Sequence, residues 1–200
     1  GLRSAYLFFT VAFAINILIV YHGIKGGIER FNKIAMPLLL ALAFFLMTRV
    51  LTLGTADPLR PELSVANALG FIWNPDLDAL LNAKIWLEAA GQVFFTLGVG
   101  IGIIMTYASY LRRDDDVVVS GLVATSTNEF CEVILGSSII IPAAFVFFGA
   151  TGAVAIAQGG LFNIGFVSMP LIFAKMPWSS FFCGLWFLLL FVAAVTSSVS

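Results

Sequence analysis

Three groups of residues carry most of the polar atoms that could do chemistry in an otherwise apolar chain. The first is Thr125-Ser126-Thr127-Asn128-Glu129-Phe130-Cys131-Glu132. Asn128 and Glu132 stand four apart there and share a helix face. The second is Thr96-Leu97-Gly98-Val99-Gly100-Ile101-Gly102, with three alternating glycines. The third is Ala193-Ala194-Val195-Thr196-Ser197-Ser198. Hydroxyl, amide and main-chain carbonyl oxygens are hard donors and suit a small hard cation better than a soft metal. No nucleophile–base pair is visible, because the only histidine, His22, sits in a polar turn. Intramembrane hydrolysis is therefore unsupported. Cys131 and Cys183 lie in apolar runs. They lack the clustered spacing of a disulfide framework or a zinc site and read as inert thiols.

Each polar group has two readings. Three mid-span glycines weaken a helix by about 1 kcal/mol each relative to Ala. They fit either an unwound stretch whose free carbonyls and half-helix ends hold a cation and a carboxylate, or close packing between helices. Glu129 and Glu132 fit either a functional path inside the membrane or a tilted helix whose polar part reaches cytoplasmic water. Glu129 falls on a different face from Asn128 and Glu132 and nearer water. Thr196 and Ser197 fit either cation ligands or hydroxyls bonded back to their own helix.

The elements that must position these residues follow from composition. The chain has 200 residues, 60% of them hydrophobic and 10% charged, with a mean hydropathy of +1.04. Soluble domains carry about 25% charged residues, so this is an all-α polytopic membrane protein embedded in a lipid bilayer. A net charge of −1 argues against nucleic acid as a partner. Five segments reach the roughly 20 apolar residues that a spanning helix needs: 5–21, 34–53, 85–110, 117–148 and 179–200. Residues 54–84 form a polar loop rich in Pro and Asp. Residues 149–178 are apolar but interrupted by Gly152, Gly159, Gly160, Gly165 and Pro170, which suggests two short loop helices packed on the protein. The chain starts at Gly1 ahead of one apolar helix and stops at Ser200 within another, with no signal peptide, so an internal segment of a longer protein is expected.

Orientation follows from the basic residues. Lys25, Arg30, Lys33, Arg112 and Arg113 crowd the short turns at 22–33 and 111–116, whereas Arg3, Arg49, Arg60, Lys84 and Lys175 are spread over the other side. The first side is therefore assigned to the cytoplasm and the loops at 54–84 and 149–178 to the exterior. Tyr21, Trp86, Tyr110 and Trp178 fall near the proposed membrane boundaries, as interfacial aromatics do.

Several motifs resemble the neurotransmitter:sodium symporter family. They are Gly27-Ile28-Glu29-Arg30-Phe31, Trp73-Asn74-Pro75-Asp76, Ala90-Gly91-Gln92-Val93-Phe94-Phe95-Thr96-Leu97 with Gly100, and Thr106-Tyr107-Ala108-Ser109-Tyr110. Glu132-Val133-Ile134-Leu135-Gly136-Ser137-Ser138, Phe162-Asn163-Ile164-Gly165-Phe166 and Thr196-Ser197-Ser198 complete the set. Within that family the match is to the leucine-transporting bacterial members, over nearly the whole chain. The resemblance implies helices four to eight of an inverted-repeat transporter fold with one broken transmembrane helix, the other helices lying elsewhere in the same protein.

The resemblance also implies residue roles. Two sodium ions are expected, the first held by Thr96 and Asn128, the second by the Ala193 carbonyl with Thr196 and Ser197. Phe95, Thr96, Gly98, Ile101 and Ser197 would line the substrate pocket, Phe95 also serving the extracellular gate and Tyr110 the cytoplasmic gate. Gln92, Thr96, Asn128 and Glu132 would surround the position of chloride in chloride-dependent relatives, and here Glu132 brings its own negative charge. Gly98 and Ile101 replace the Ser and Phe of the leucine-transporting members, which removes side-chain volume from the pocket. The loop before Trp73 is also longer.

The function implied is sodium-coupled, chloride-independent symport of an amino acid, hydrophobic or aromatic, by alternating access across a bacterial plasma membrane, with no enzymatic activity. The alternatives are an ion channel, which needs a continuous polar pore ring, and a non-transporting membrane subunit whose polar residues serve assembly.

Overall fold

The computed structural model describes residues 2–55, 57–74, 76–100 and 102–199. Its helices follow the apolar runs, because a chain in lipid must satisfy its backbone hydrogen bonds within itself. Helix α1 (Leu2–Tyr21) is followed by a π-helical turn (Ile24–Glu29) that leads directly into α2 (Arg30–Leu51). Lys33 reaches back one turn to Glu29, with its Nζ 2.7 Å from the carboxylate. Among the described residues, four helical stretches are long and apolar enough to cross a membrane: Ser4–Tyr21, Ile24–Leu51, Val117–Gln158 and Ser179–Ser198.

The 54–84 connection holds more helix than its polar composition suggests. Helix α3 (Val65–Trp73) starts at Ser64, whose hydroxyl accepts from the Asn67 amide at 3.2 Å. It rests on α7 (Ser137–Gln158), with the Phe71 and Phe145 rings 5.7 Å apart. Asp76 then caps a short 3₁₀ turn (Leu77–Leu81), and Asn82 caps α4 (Ala83–Thr96) by accepting from the Lys84 amide at 3.0 Å. Such caps satisfy N–H groups that no helical carbonyl can reach.

Helix α5 (Ile103–Ala108) follows a break after α4. At 1.5 Å per residue the two pieces span roughly 21 and 9 Å, so neither alone crosses a hydrocarbon core of about 30 Å. Asp116 caps α6 (Val117–Glu129), which runs through a π-helical turn (Phe130–Gly136) into α7. At Gly149 the backbone takes φ 73° and ψ −179°, so α7 bends sharply before its last turns. Beyond it, α8 (Gly160–Asn163), a π-helical turn (Ile164–Ser168) and α9 (Met169–Ala174) lead to α10 (Ser179–Ser198).

The core lies where α2, α7, α9 and α10 meet. Leu46, Leu135, Met169, Ile172 and Phe173 are fully enclosed there. Trp186 on α10 donates its indole N–H to the Gly165 carbonyl at 2.8 Å. That bond gives the buried indole its polar partner and ties α10 to the segment before α9. Most of the remaining helix surface is apolar and exposed, α1 above all, as suits contact with lipid or other helices.

Candidate functional site

The break between α4 and α5 is built by its glycines. Gly98, Gly100 and Gly102 have φ of 64°, 86° and 83°, a region that other L-residues enter only at a cost of about 1–2 kcal/mol. Gly98 donates to the Phe95 carbonyl at 3.1 Å and Val99 to the Phe94 carbonyl at 3.0 Å. This is the paired bonding of a Schellman terminus, with glycine at the left-handed position. The helix therefore stops immediately after Thr96, which leaves that residue at the last turn of a half-helix.

Four side chains meet at that end. Gln92 on α4 donates its amide N–H to Glu132 Oε1. The Thr96 hydroxyl donates to Glu132 Oε2 at 2.5 Å, and Asn128 Nδ2 donates to the Thr96 oxygen at 3.0 Å. Glu132 is thus engaged through both carboxylate oxygens by neutral donors. Asn128 and Glu132 face α4 together because they lie one turn apart, Asn128 at the end of α6 and Glu132 in the π-helical turn that follows. Single-turn π segments of this kind redirect side chains and recur at functional sites. With its N–H committed to Thr96, Asn128 keeps its carbonyl oxygen for another partner.

A second set of oxygens lies on the last turn of α10. The Thr196 hydroxyl donates to the Ala193 carbonyl at 2.8 Å, so these two oxygens are held together. Ala193, Thr196 and Ser197 line an open pocket of ≈ 480 Å³ together with Asn32, Met36 and Leu39 of α2 and Ile103 at the start of α5. The Ser198 hydroxyl donates to the side-chain amide oxygen of Asn16 (Oδ1), which fastens this end of α10 to α1.

The structure therefore gathers the sequence-derived residues into two clusters. Gln92, Thr96, Asn128 and Glu132 form one, and Ala193, Thr196 and Ser197 the other. Gly98 is buried beside the first. Phe95 projects from α4 with 78% of its surface exposed, and Tyr110 is 54% exposed beyond α5, so neither closes over a cluster in this chain by itself. Ile101 lies outside the described residues. Among the described residues no group of three or more His, Cys, Asp or Glu side chains converges, and both clusters offer chiefly neutral hard oxygens. Reading the sequence missed Asn16 and Asn32, and gave Ser198 no partner. For Asn16 the signal available was an amide inside an apolar helix, since polar side chains in a membrane span need a partner; Asn32 falls in the polar turn at 22–33 and gave no such signal.

Residues 4–200 match the model of the Sodium:neurotransmitter symporter family. The chain is 33% identical to an uncharacterized sodium-dependent transporter of Methanocaldococcus jannaschii, over 100% of this chain and 39% of that protein. It is 30% identical to an uncharacterized sodium-dependent transporter of Haemophilus influenzae, over 97% of this chain and 39% of that protein. It is 26% identical to the sodium-dependent dopamine transporter of Bos taurus, over 95% of this chain and 27% of that protein. The chain thus spans well under half the length of these relatives.

Proposed function

The chain belongs to the sodium:neurotransmitter symporter family, and from that premise we propose that the whole protein is a sodium-coupled, chloride-independent amino-acid symporter. Its substrate is an amino acid with a hydrophobic or aromatic side chain, which the small Gly98 side of the pocket accommodates together with Phe95, Thr96, Ile101 and Ser197. It works by alternating access in a bacterial plasma membrane. The turns at 22–33 and 111–116 face the cytoplasm, and the segments 54–84 and 149–178 face outward. The further helices belong to the same polypeptide.

The observation that carries this reading is the Glu132 carboxylate held by Gln92 and Thr96, with Asn128 bonded to Thr96 in turn. A buried cation without a nearby anion carries a large desolvation penalty. Unit charges about 5 Å apart attract by about 3 kcal/mol at an effective dielectric of about 20, which offsets part of that penalty. Thr96 and Asn128 supply neutral oxygens for the first sodium, and Glu132 supplies the compensating charge that chloride brings in chloride-dependent members. The second sodium is held by the Ala193 carbonyl with Thr196 and Ser197. Release of sodium to the cytoplasm leaves these oxygens uncompensated and favours opening inward. Phe95 and Tyr110 act at the outer and inner gates once the remaining helices are in place.

The test is uptake of labelled Leu, Phe, Trp and Ala by proteoliposomes of the full-length protein. Uptake should require an inward sodium gradient and be equal in chloride and gluconate. Uptake that persists with potassium in place of sodium overturns the coupling. Loss of uptake in gluconate overturns chloride independence.

A further inference from the structure

We propose that Asn16 on α1 is a positioning residue for the second sodium site: it binds no ion itself and holds the end of α10 that carries Ala193, Thr196 and Ser197. This rests on the sodium-coupled reading above. Among residues 11–20 of α1, Asn16 is the one polar side chain. An amide within a membrane span has to find partners. Its Nδ2 donates to the Ala12 carbonyl one turn back, at 2.9 Å. Only the nitrogen can face a carbonyl in this way, so the contact fixes the amide and leaves Oδ1 as the acceptor. Oδ1 takes the Ser198 hydroxyl, from a residue 182 positions further along the chain.

Ser198 follows directly on the proposed ligands. It shares the last turn of α10 with Thr196 and Ser197. Ligand oxygens have to be held to within about 0.5 Å of their working positions. A helix pinned at Ser198 cannot slide or rotate there without carrying Thr196 and Ser197 with it. The Trp186–Gly165 bond of the same helix lies roughly 18 Å away along the axis, too far to fix this turn. The Asn16 bond acts on position more than on folding. The Ser198 oxygen also lies 3.0 Å from the Val195 carbonyl of its own helix, the usual back-bond of a helical serine. Without Asn16 the hydroxyl keeps that partner, and the Val195 carbonyl is already paired with the Val199 amide at 3.1 Å. Removing Asn16 therefore leaves no donor of α10 unpaired. What is lost is the tie between α1 and the turn that carries the ligands.

The experiment uses the full-length protein purified in detergent. It measures binding of labelled sodium, and Tm with and without sodium, for the parent, Asn16→Leu, Ser198→Ala, their double variant, Ser198→Thr and Thr196→Ala. Loss of a group that orients a metal ligand costs about tenfold or more in affinity, and Asn16 acts one residue further off. Asn16→Leu should therefore weaken sodium binding about fivefold while the sodium-free Tm stays near the parent value. Ser198→Ala should weaken it similarly and the double variant no further, because both changes remove the same bond. Ser198→Thr keeps the hydroxyl and should bind sodium like the parent. If Asn16→Leu does not fold, the contrast between Ser198→Ala and Ser198→Thr carries the test. Parent-like sodium affinity in Asn16→Leu, or losses that add in the double variant, overturns the role of Asn16 and, with Thr196→Ala weakened, leaves the second site standing. A loss of affinity matched by a fall in the sodium-free Tm makes Asn16 a purely structural residue and also overturns the proposal. Parent-like sodium affinity in Thr196→Ala overturns the second site, and this proposal with it.

Discussion

The Thr96 hydroxyl and the Glu132 carboxylate meet at 2.5 Å although 36 residues separate them in the chain. Thr96 ends one half-helix and Glu132 sits in a π-helical turn of another element. Their contact joins the broken helix to the segment that leads into α7. It also places a fixed negative charge at the point where the helix gives out.

Glu132→Ser removes that charge and leaves a hydroxyl able to help hold a halide beside Gln92, Thr96 and Asn128. Uptake by the full-length variant should fall in gluconate and recover when chloride is added. Equal uptake in the two buffers would show that Glu132 is not the substitute for chloride.

Thr196→Ala and Ser197→Ala each remove a hard oxygen from the end of α10. Each should raise the sodium concentration needed for half-maximal substrate binding by about tenfold, the equivalent of about 1.4 kcal/mol. Scintillation proximity binding at graded sodium measures this directly. Variants with the sodium dependence of the parent would remove these residues from the proposed ion site.

Gly98→Ala places a Cβ on a residue at φ 64° in the Schellman terminus of α4. The strain is about 1–2 kcal/mol. The variant should lose sodium-stimulated substrate binding more than it loses Tm, because the strain falls at the break beside Thr96. An unchanged sodium response would mean that the break tolerates a side chain.

Trp186→Phe deletes the donor to the Gly165 carbonyl, a 2.8 Å bond inside the core. Leaving that carbonyl unpaired should lower stability by about 1–3 kcal/mol. The variant should unfold at a lower temperature in detergent while its sodium affinity stays at the parent value. A large change in sodium affinity would tie this bond to the proposed ion sites as well.

Much of the architecture was legible from composition. Lipid offers no hydrogen-bond partners, so a long apolar run has to be helical, and runs of this length announce spans directly. The glycines at 98, 100 and 102 marked where a break could fall, because each makes a helix less stable and permits positive φ, but they fitted close helix packing as well. Helix α3 was harder to see. Its nine residues sit between proline-rich stretches, and its stability depends on the Ser64 cap and on packing against α7, neither of which shows in local hydropathy.

By itself the sequence determined the helical class, where a break could fall and the shared helix face of Asn128 and Glu132, since these depend on hydropathy, glycine content and a four-residue spacing. Only the tertiary structure decided which groups meet. The π-helical turn at Phe130–Gly136 and the end of α4 together set Glu132 against Gln92 and Thr96. The packing of α2 on α10 brought Asn32 to the same open pocket as Thr196 and Ser197. Such pairings join residues tens to more than a hundred positions apart. They follow from how side chains of different helices fill a shared core, which no local pattern in the chain encodes.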